Sequence, residues 1–164
     1  AGRQTDAPFM TDRLASPDDA AQLSALHRAS FHDGWTEADL RTWLSRAEAF
    51  AALAIREREA IAFGLALAAG DDAELLTIAT VSASRRQGAG REILRTLDAE
   101  ARKRGLRRWV LEVAGSNLAA AELYKSSGFV EIAVRKAYYP LGEGREDALV
   151  LSRPVGLVGG HTGA

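Results

Sequence analysis

The chain has 164 residues, 47% of them hydrophobic, which favours one domain and supplies enough apolar side chain for a real core. It has no cysteine, so disulfides, thiolate zinc sites and a thiol nucleophile are excluded. The formal net charge is −1, yet residues 85–108 hold nine basic side chains against three acidic ones. A nucleic-acid binder is more often basic throughout, so one basic segment suits either a compact anion or a solvated arginine-rich helix face.

The order of elements follows from periodicity and punctuation. Residues 1–10 are expected to be a flexible leader; "AGRQTDAPF" has no apolar run of signal-peptide type. A single domain is expected over 11–154. "SPDDAAQLSALHRASF" reads as a helix, with Ser16 as N-cap, Pro17 in the first turn and acidic residues at the positive end. "DGW" breaks it, and "TEADLRTWLSRA" restarts one capped by Thr36. "FAALAIRE" and "AIAFGLALAA" read as a hairpin around Arg56 to Glu59, and "AELLTIATV" as a third strand, although their alanines favour helix.

A long helix is expected over about Gly88 to Arg104, with Ile93, Leu94, Leu97 and Ala101 inward and Gly105 as its stop. "RRWVLEV" is a short strand, "SNLAAAELYKSSG" a helix, and "FVEIAVRKAYY" and "REDALVLSR" two strands joined by "PLGEG". The glycine-rich end, 155–164, is expected to be a flexible tail. Meandering strands followed by strand–helix–strand crossovers give an α/β (α+β) layer arrangement with a mixed sheet.

The stretch "RRQGAGREIL" opens the basic segment. The first amides of a helix lack intrahelical partners, the helix dipole adds positive potential there, and glycine lets an anion approach the backbone. A P-loop would need Lys then Ser or Thr after its second glycine; Arg91 and Glu92 stand there. A dinucleotide fingerprint needs glycine or alanine where Ile93 stands. An R/Q-x-x-G-x-G/A loop is met by Arg85, Gly88 and Gly90.

That loop, between a strand and a long helix, resembles the acetyl-CoA loop of the GNAT (GCN5-related) N-acetyltransferases. "LEVAGSNLAAAELYKSSGF" resembles the next segment of that family at Glu112, Asn117, Leu123, Tyr124, Gly128 and Phe129. "RKAYYPLGEGREDALVL" is similar to the ribosomal-protein-alanine N-acetyltransferases (RimI type) within it, and "WTEADL" matches more loosely. Two departures stand out: "TVSASRR" has no proline where the family often has one, and Arg85 stands where close relatives often have Gln.

The resemblance implies a mostly antiparallel sheet of six to seven strands, flanked by about four helices and splayed between strands 4 and 5. It implies acetyl-CoA as the donor, held by Ile78, Ala79 and Thr80 on the fourth strand, by Arg85, Arg86, Gln87, Gly88, Ala89, Gly90 and Arg91 at the loop, and by Asn117 and Tyr124. A backbone N–H of Ile78 or Thr80 would polarise the thioester carbonyl.

Glu112 is the implied base or ammonium-attracting group, and Tyr124 the donor to the departing thiolate; read as residues alone, the first is a surface carboxylate and the second a core aromatic. Asn117 either caps its helix, bonds the pantetheine chain, or does both. Trp35, Tyr138 and Tyr139 resemble the walls of a groove for a peptide terminus, or are core and rim aromatics. Glu143, Glu146 and Asp147 either attract a basic peptide or form a solvated turn. The three histidines, His27, His32 and His161, show no metal-ligand spacing, and no metal is expected.

The expected activity is acetylation of a protein N-terminus, with the N-terminal alanine of a small-subunit ribosomal protein as the foremost acceptor. The expected setting is cytoplasmic, as a monomer or weak dimer, without nucleic acid or membrane as partner. A small amine or a lysine side chain is the alternative acceptor. A non-catalytic acyl-CoA-binding module and a dinucleotide-binding domain are the alternatives of other classes.

Overall fold

Alanine-rich segments that propensity alone would assign to helix form the middle of a sheet. In the computed structural model, which describes residues 10–81 and 88–156, β2 (Ala49–Arg56) and β3 (Glu59–Ala69) pair antiparallel around a tight turn. Glu57 and Arg58 both take positive φ there, at 51° and 68°, which fits the right-handed twist of a two-residue hairpin. The alanines are tolerated because most of them are buried: Ala51, Ala52, Ala54, Ala62 and Ala66 are at most 1% exposed. Strand preference is set by fit to a packed surface rather than by the backbone.

The sheet has seven strands in the order β1-β2-β3-β4-β5-β7-β6. β1 (Thr11–Leu14) is an exposed edge strand. Four solvent-facing residues, "TDRL", carry no alternation, so the sequence gives no strand signal there. β4 (Asp72–Thr80) follows β3 antiparallel, β5 (Arg108–Ala114) joins β4 in parallel, and β7 (Gly144–Pro154) separates β5 from β6 (Val130–Leu141). This matches the expected mixed, mostly antiparallel sheet.

Helices cover both faces. On one, α1 (Ala20–Ser30) and α2 (Glu37–Leu44) bury Leu23, Leu26 and Leu40 against Leu53, Phe63 and Leu65. The first turn expected of α1 is a separate 3₁₀ turn, Pro17–Asp19. Asp19 is held there by Arg13 at 2.8 and 2.9 Å and by the Ser16 N–H at 2.9 Å. Thr36 caps α2 reciprocally with Asp39.

On the other face, α3 (Ala89–Lys103) packs Ile93, Leu94 and Leu97 onto Phe50, Trp109 and Leu111. Burying one such leucine contributes about 2 kcal/mol. The approach is close enough that a Cβ on Gly64 would stand 2.6 Å from Ile93 Cγ2. Helix α4 (Leu118–Ser126) follows β5 and sits against α3: a Cβ on Gly90 would meet Leu123 Cδ2 at 2.9 Å.

Beneath α3 lies a buried polar knot. Asp98 accepts from Trp109 Nε1 and Arg153 Nη2, both at 2.9 Å, and from the Gly156 N–H at 3.1 Å. Val155 N–H also bonds Arg107 O at 2.9 Å. Val155 and Gly156, the first two residues of the stretch expected to be tail, are thus bonded to the domain. The rest of that stretch, 157–164 with His161, and residues 1–9 of the leader lie outside the described residues.

Candidate active site

The sheet opens along one line. β4 and β5 pair only from Asp72↔Arg108 to Leu75↔Leu111. Beyond Leu75 a register shift falls between Leu65 and Ala66 on β3, so that Leu76 has no partner of its own. β4 stays with β3 as far as Thr80, while β5 stays with β7 as far as Ala114. The two halves of the sheet therefore diverge, as expected between strands 4 and 5.

Strand alternation tells which backbone groups face the gap. Val81 N–H bonds Ile61 O at 2.8 Å, so Ala79 and Thr77 also turn their polar groups to β3, and Ile78 and Thr80 turn theirs to the gap. Ala79, expected to bind the donor, is thereby corrected: its backbone groups point to β3, and its side chain is buried under α1 and α2. On the opposite edge, Gly115 N–H bonds Asp147 O at 3.0 Å, which turns the backbone of Ala114 toward the gap. Nothing about an alanine side chain marks that position in the sequence.

At the end of the gap α3 begins. Gly88 is its N-cap at φ +85°, a conformation that favours glycine, and among the described residues no atom lies within 4 Å of where a Cβ would be. Glu92 N–H bonds back to Gly88 O, so the amides of Ala89, Gly90 and Arg91 have no partner within α3 itself. Gly90 also makes room for Leu123, whose Cδ2 would stand 2.9 Å from a Cβ there. Arg91 leans on Ser126 Oγ at 3.4 Å. Arg85, Arg86 and Gln87 lie outside the described residues.

Glu112 projects from the face opposite Leu111 and Val113. Arg135 Nε is 2.9 Å from its Oε1. The Arg135 guanidinium lies 5.2 Å from the Tyr138 ring centre, and the rings of Tyr138 and Tyr139 are 5.1 Å apart, edge to face. Burial, then the Glu112 charge, then Tyr138 push the Tyr139 phenol upward. Glu112, Tyr138 and Tyr139 thus come together, with Arg135, which sequence reasoning passed over although it opens the "RKAYYP" segment.

A register shift shapes this cluster. Between Arg135↔Ala148 and Tyr139↔Glu146, three residues of β6 oppose Asp147 alone. Ala137 takes φ +51°, and its N–H bonds Asp147 Oδ1 at 2.9 Å while Lys136 Nζ reaches Oδ2 at 3.3 Å. Glu146 accepts from the Ser116 N–H and hydroxyl at 3.0 and 2.8 Å. Asp147 and Glu146, read as attractors of a basic peptide or as a solvated turn, are committed to holding the bulge and the entry to α4. Glu143 is exposed in the turn.

Tyr124 lies on the other face of the sheet, 7% exposed, its ring 5.7 Å from that of Phe129. Burial pushes its phenol up to about 12. Glu112 and Tyr124 therefore lie on opposite faces of the sheet. Asn117 Oδ1 caps α4 by accepting the Ala120 N–H at 3.2 Å, which leaves its amide NH₂ free of that bond.

Trp35 lies in the loop between α1 and α2. It is half-buried, stacked on His27 with ring centres 4.5 Å apart, and 6.0 Å from Trp43. His27, to which the sequence assigned nothing, is 6% exposed. Among the described residues no group of three or more His, Asp or Glu side chains is disposed to hold a metal ion.

A split mixed sheet with a helix N-terminus at its mouth has clear counterparts. The Acetyltransferase (GNAT) family profile matches residues 20–129. The [ribosomal protein bS18]-alanine N-acetyltransferase of Escherichia coli K12 is 43% identical over 96 residues. That match takes in 58% of this chain and 65% of the relative, so the chain spans just under two thirds of that relative's length. The crystal structure of the E. coli ribosomal-protein-S18-alanine N-acetyltransferase superposes with a TM-score of 0.81 at 30% identity, over 93% of this chain and 98% of that one. Arabidopsis thaliana NAA60 in complex with acetyl-CoA shares the fold at 17% identity, with a TM-score of 0.78 over 90% and 99% of the two chains. The chain belongs to the GNAT acetyltransferase family.

Proposed function

We propose that this chain acetylates the α-amino group of a protein N-terminus, with acetyl-CoA as donor and the N-terminal alanine of a small-subunit ribosomal protein as acceptor. The observation that carries the reading is the Glu112 carboxylate beside the gap, with Arg135, Tyr138 and Tyr139 around it. The likeness to relatives described as acting on the bS18 alanine supports that choice of acceptor. A ribosomal acceptor implies a cytoplasmic enzyme. Among the described residues no helix is long and apolar enough to cross a membrane.

The chain's own groups fit such a donor. The polar backbone groups of Ile78 and Thr80 face those of Ala114 across a gap that an amide-bearing pantetheine chain would bridge as a strand does. The amides of Ala89, Gly90 and Arg91, which have no partner within α3, suit a diphosphate, with Arg85, Arg86 and Gln87 expected beside them. Asn117 caps α4 and offers its NH₂ to the same chain. Bound acetyl-CoA supplies a thioester carbonyl.

An α-amino group titrates near 8, so roughly a tenth is already the free base at neutral pH. Glu112 attracts the remaining ammonium and accepts its proton, directly or through water. Its orientation is set by Arg135, which the incoming ammonium displaces. The N–H of Ile78 or Thr80 stabilises negative charge on the carbonyl oxygen as the amine attacks.

Tyr124 faces the departing sulfur from the α3 side. Full proton transfer from a phenol near 12 to a thiolate of pKa about 8.5 is uphill by roughly 5 kcal/mol. A hydrogen bond donated to the developing charge avoids that cost, so Tyr124 acts as a donor that keeps its proton while the thiolate departs. Competition assays with peptides differing in their first residue, alongside small amines, test the acceptor. Alanine-first peptides should show the highest kcat/KM; a free small amine exceeding them would overturn the assignment.

A further inference from the structure

We propose that His27 is a positioning residue: a neutral imidazole, protonated on Nε2, that ties the backbone of Trp35 to Thr77 and so sets the loop between α1 and α2 together with the opening strand β4. The assignment of protons follows from the partners. Trp35 N–H donates to His27 Nδ1 at 2.9 Å, so Nδ1 carries no proton. The proton of the neutral ring is then on Nε2, which lies 3.3 Å from Thr77 Oγ1 and donates to it. The ring is clamped between Trp35, stacked at 4.5 Å, and Phe31, tilted at 4.5 Å, with Phe63 at 6.0 Å. Ser24 Oγ fixes the same loop from α1 by donating to Trp35 O at 2.8 Å.

Thr77 is the first residue of β4 past the register shift, and the next residue, Ile78, turns its N–H to the gap. A displacement of Thr77 moves that amide; a displacement of Trp35 moves the α1–α2 loop on the same side of the sheet as the Glu112 side chain. One imidazole bonded to both makes the two settings interdependent. A second proton on the ring would replace the Nδ1 acceptor with a donor facing the Trp35 N–H and break the tie.

Burial holds the ring below its usual range and favours the neutral form. The charged groups around it do not counter this. On α1, Arg28 is exposed; in the loop, His32 and Asp33 are exposed; on α2, Glu37 pairs with Arg41 and Asp39 is bonded to Thr36. β3 and β4 present Phe63 and Thr77 to the ring, and their acidic residues, Glu59, Asp72 and Glu74, make no bond to it.

The inference rests on the acetyl-transfer reading, so its test has one part that needs no turnover. Nitrogen NMR of the full chain should show Nδ1 bare and Nε2 protonated, and Thr77→Val should shift the Trp35 amide. The opposite tautomer, or an unmoved amide, overturns the tie whatever the activity. The second part is steady-state kinetics with acetyl-CoA and an alanine-first peptide.

His27→Phe keeps a ring against Trp35 and should raise peptide KM about five- to thirtyfold, the loss of one or two buried hydrogen bonds. The KM for acetyl-CoA should change less. Thr77→Val should raise peptide KM in the wild-type background and have no further effect in His27→Phe. The ratio of wild-type to His27→Phe kcat/KM should fall toward one as pH drops below the imidazole range; amine titration cancels in that ratio. Equal Thr77→Val effects in both backgrounds, or a ratio flat with pH, sinks the inference. A wild-type chain without transferase activity would instead sink the functional reading and leave the NMR result to decide the tie.

Discussion

Arg135 and Glu112 form an ion pair of 2.9 Å at the rim of the sheet opening, on side chains 55% and 25% exposed. Solvent screens a pair this open, so it contributes under about 1 kcal/mol to folding. Its consequence is for the acceptor, because the guanidinium occupies the carboxylate that an incoming ammonium would use. Arg135→Ala should leave the melting temperature nearly unchanged. It should lower the peptide KM about two- to fivefold and lower kcat as Glu112 loses its orientation. Kinetics with an alanine-first peptide check this; a raised KM would show that Arg135 binds the acceptor itself.

Tyr124→Phe removes a hydroxyl without changing the ring that packs against Phe129. Cofactor affinity should hold within a factor of about two, while kcat falls by roughly tenfold to a hundredfold. Equal losses in both would mark Tyr124 as packing only.

The same residue carries a pH signature. Its phenol is raised from 10 to about 12 by burial. Between those values the unfolded chain has released the proton and the native one has not, so stability falls as pH rises. The contribution is complete below 10 and is lost on the way to 12, by roughly 3 kcal/mol. Urea unfolding across that range should show the loss in wild type and a shallower decline in Tyr124→Phe.

At Gly88 the backbone stands at φ +85°, and among the described residues nothing lies within 4 Å of where a Cβ would be. Valine there costs about 1–2 kcal/mol of backbone strain and puts methyl groups where a phosphate would lie. Acetyl-CoA affinity by calorimetry should drop at least tenfold in Gly88→Val, in a chain that still folds. Unchanged affinity would refute the phosphate role of the loop.

Arg153 and Asp98 are 4% and 7% exposed and bonded at 2.9 Å. Removing one member strands the other's charge, which costs about 3–5 kcal/mol. Arg153→Ala should therefore lower the melting temperature by roughly 10 °C, measured by calorimetry. A change of only a degree or two would show that Trp109 Nε1 and the Gly156 N–H satisfy Asp98 by themselves.

How legible was this in the sequence? The hairpins, the long helix with its Gly105 stop, and the cap residues Thr36 and Asn117 were readable because each has a local cause. β1 was not, since an exposed four-residue edge strand leaves no apolar alternation. The resemblance to the family brought out Glu112, Tyr138 and Tyr139, which do come together. The geometry around them was hidden, because a three-residue bulge at Ala137 and the capture of Asp147 depend on register between strands. Ala79 was misread because only strand pairing decides which amides face the gap. His27 was passed over because metal spacing was the question asked of it, while its partners, Trp35 and Thr77, lie 8 and 50 positions away in the chain.

The central claim is that the amine attacked at this split sheet is a protein's own α-amino group. Tandem mass spectrometry of one peptide that begins with alanine and carries an internal lysine, after incubation with acetyl-CoA, tests it most directly. The account predicts a single acetyl group on the terminal alanine, lost when that terminus is blocked. An acetyl group on the lysine, or none at all, would contradict it.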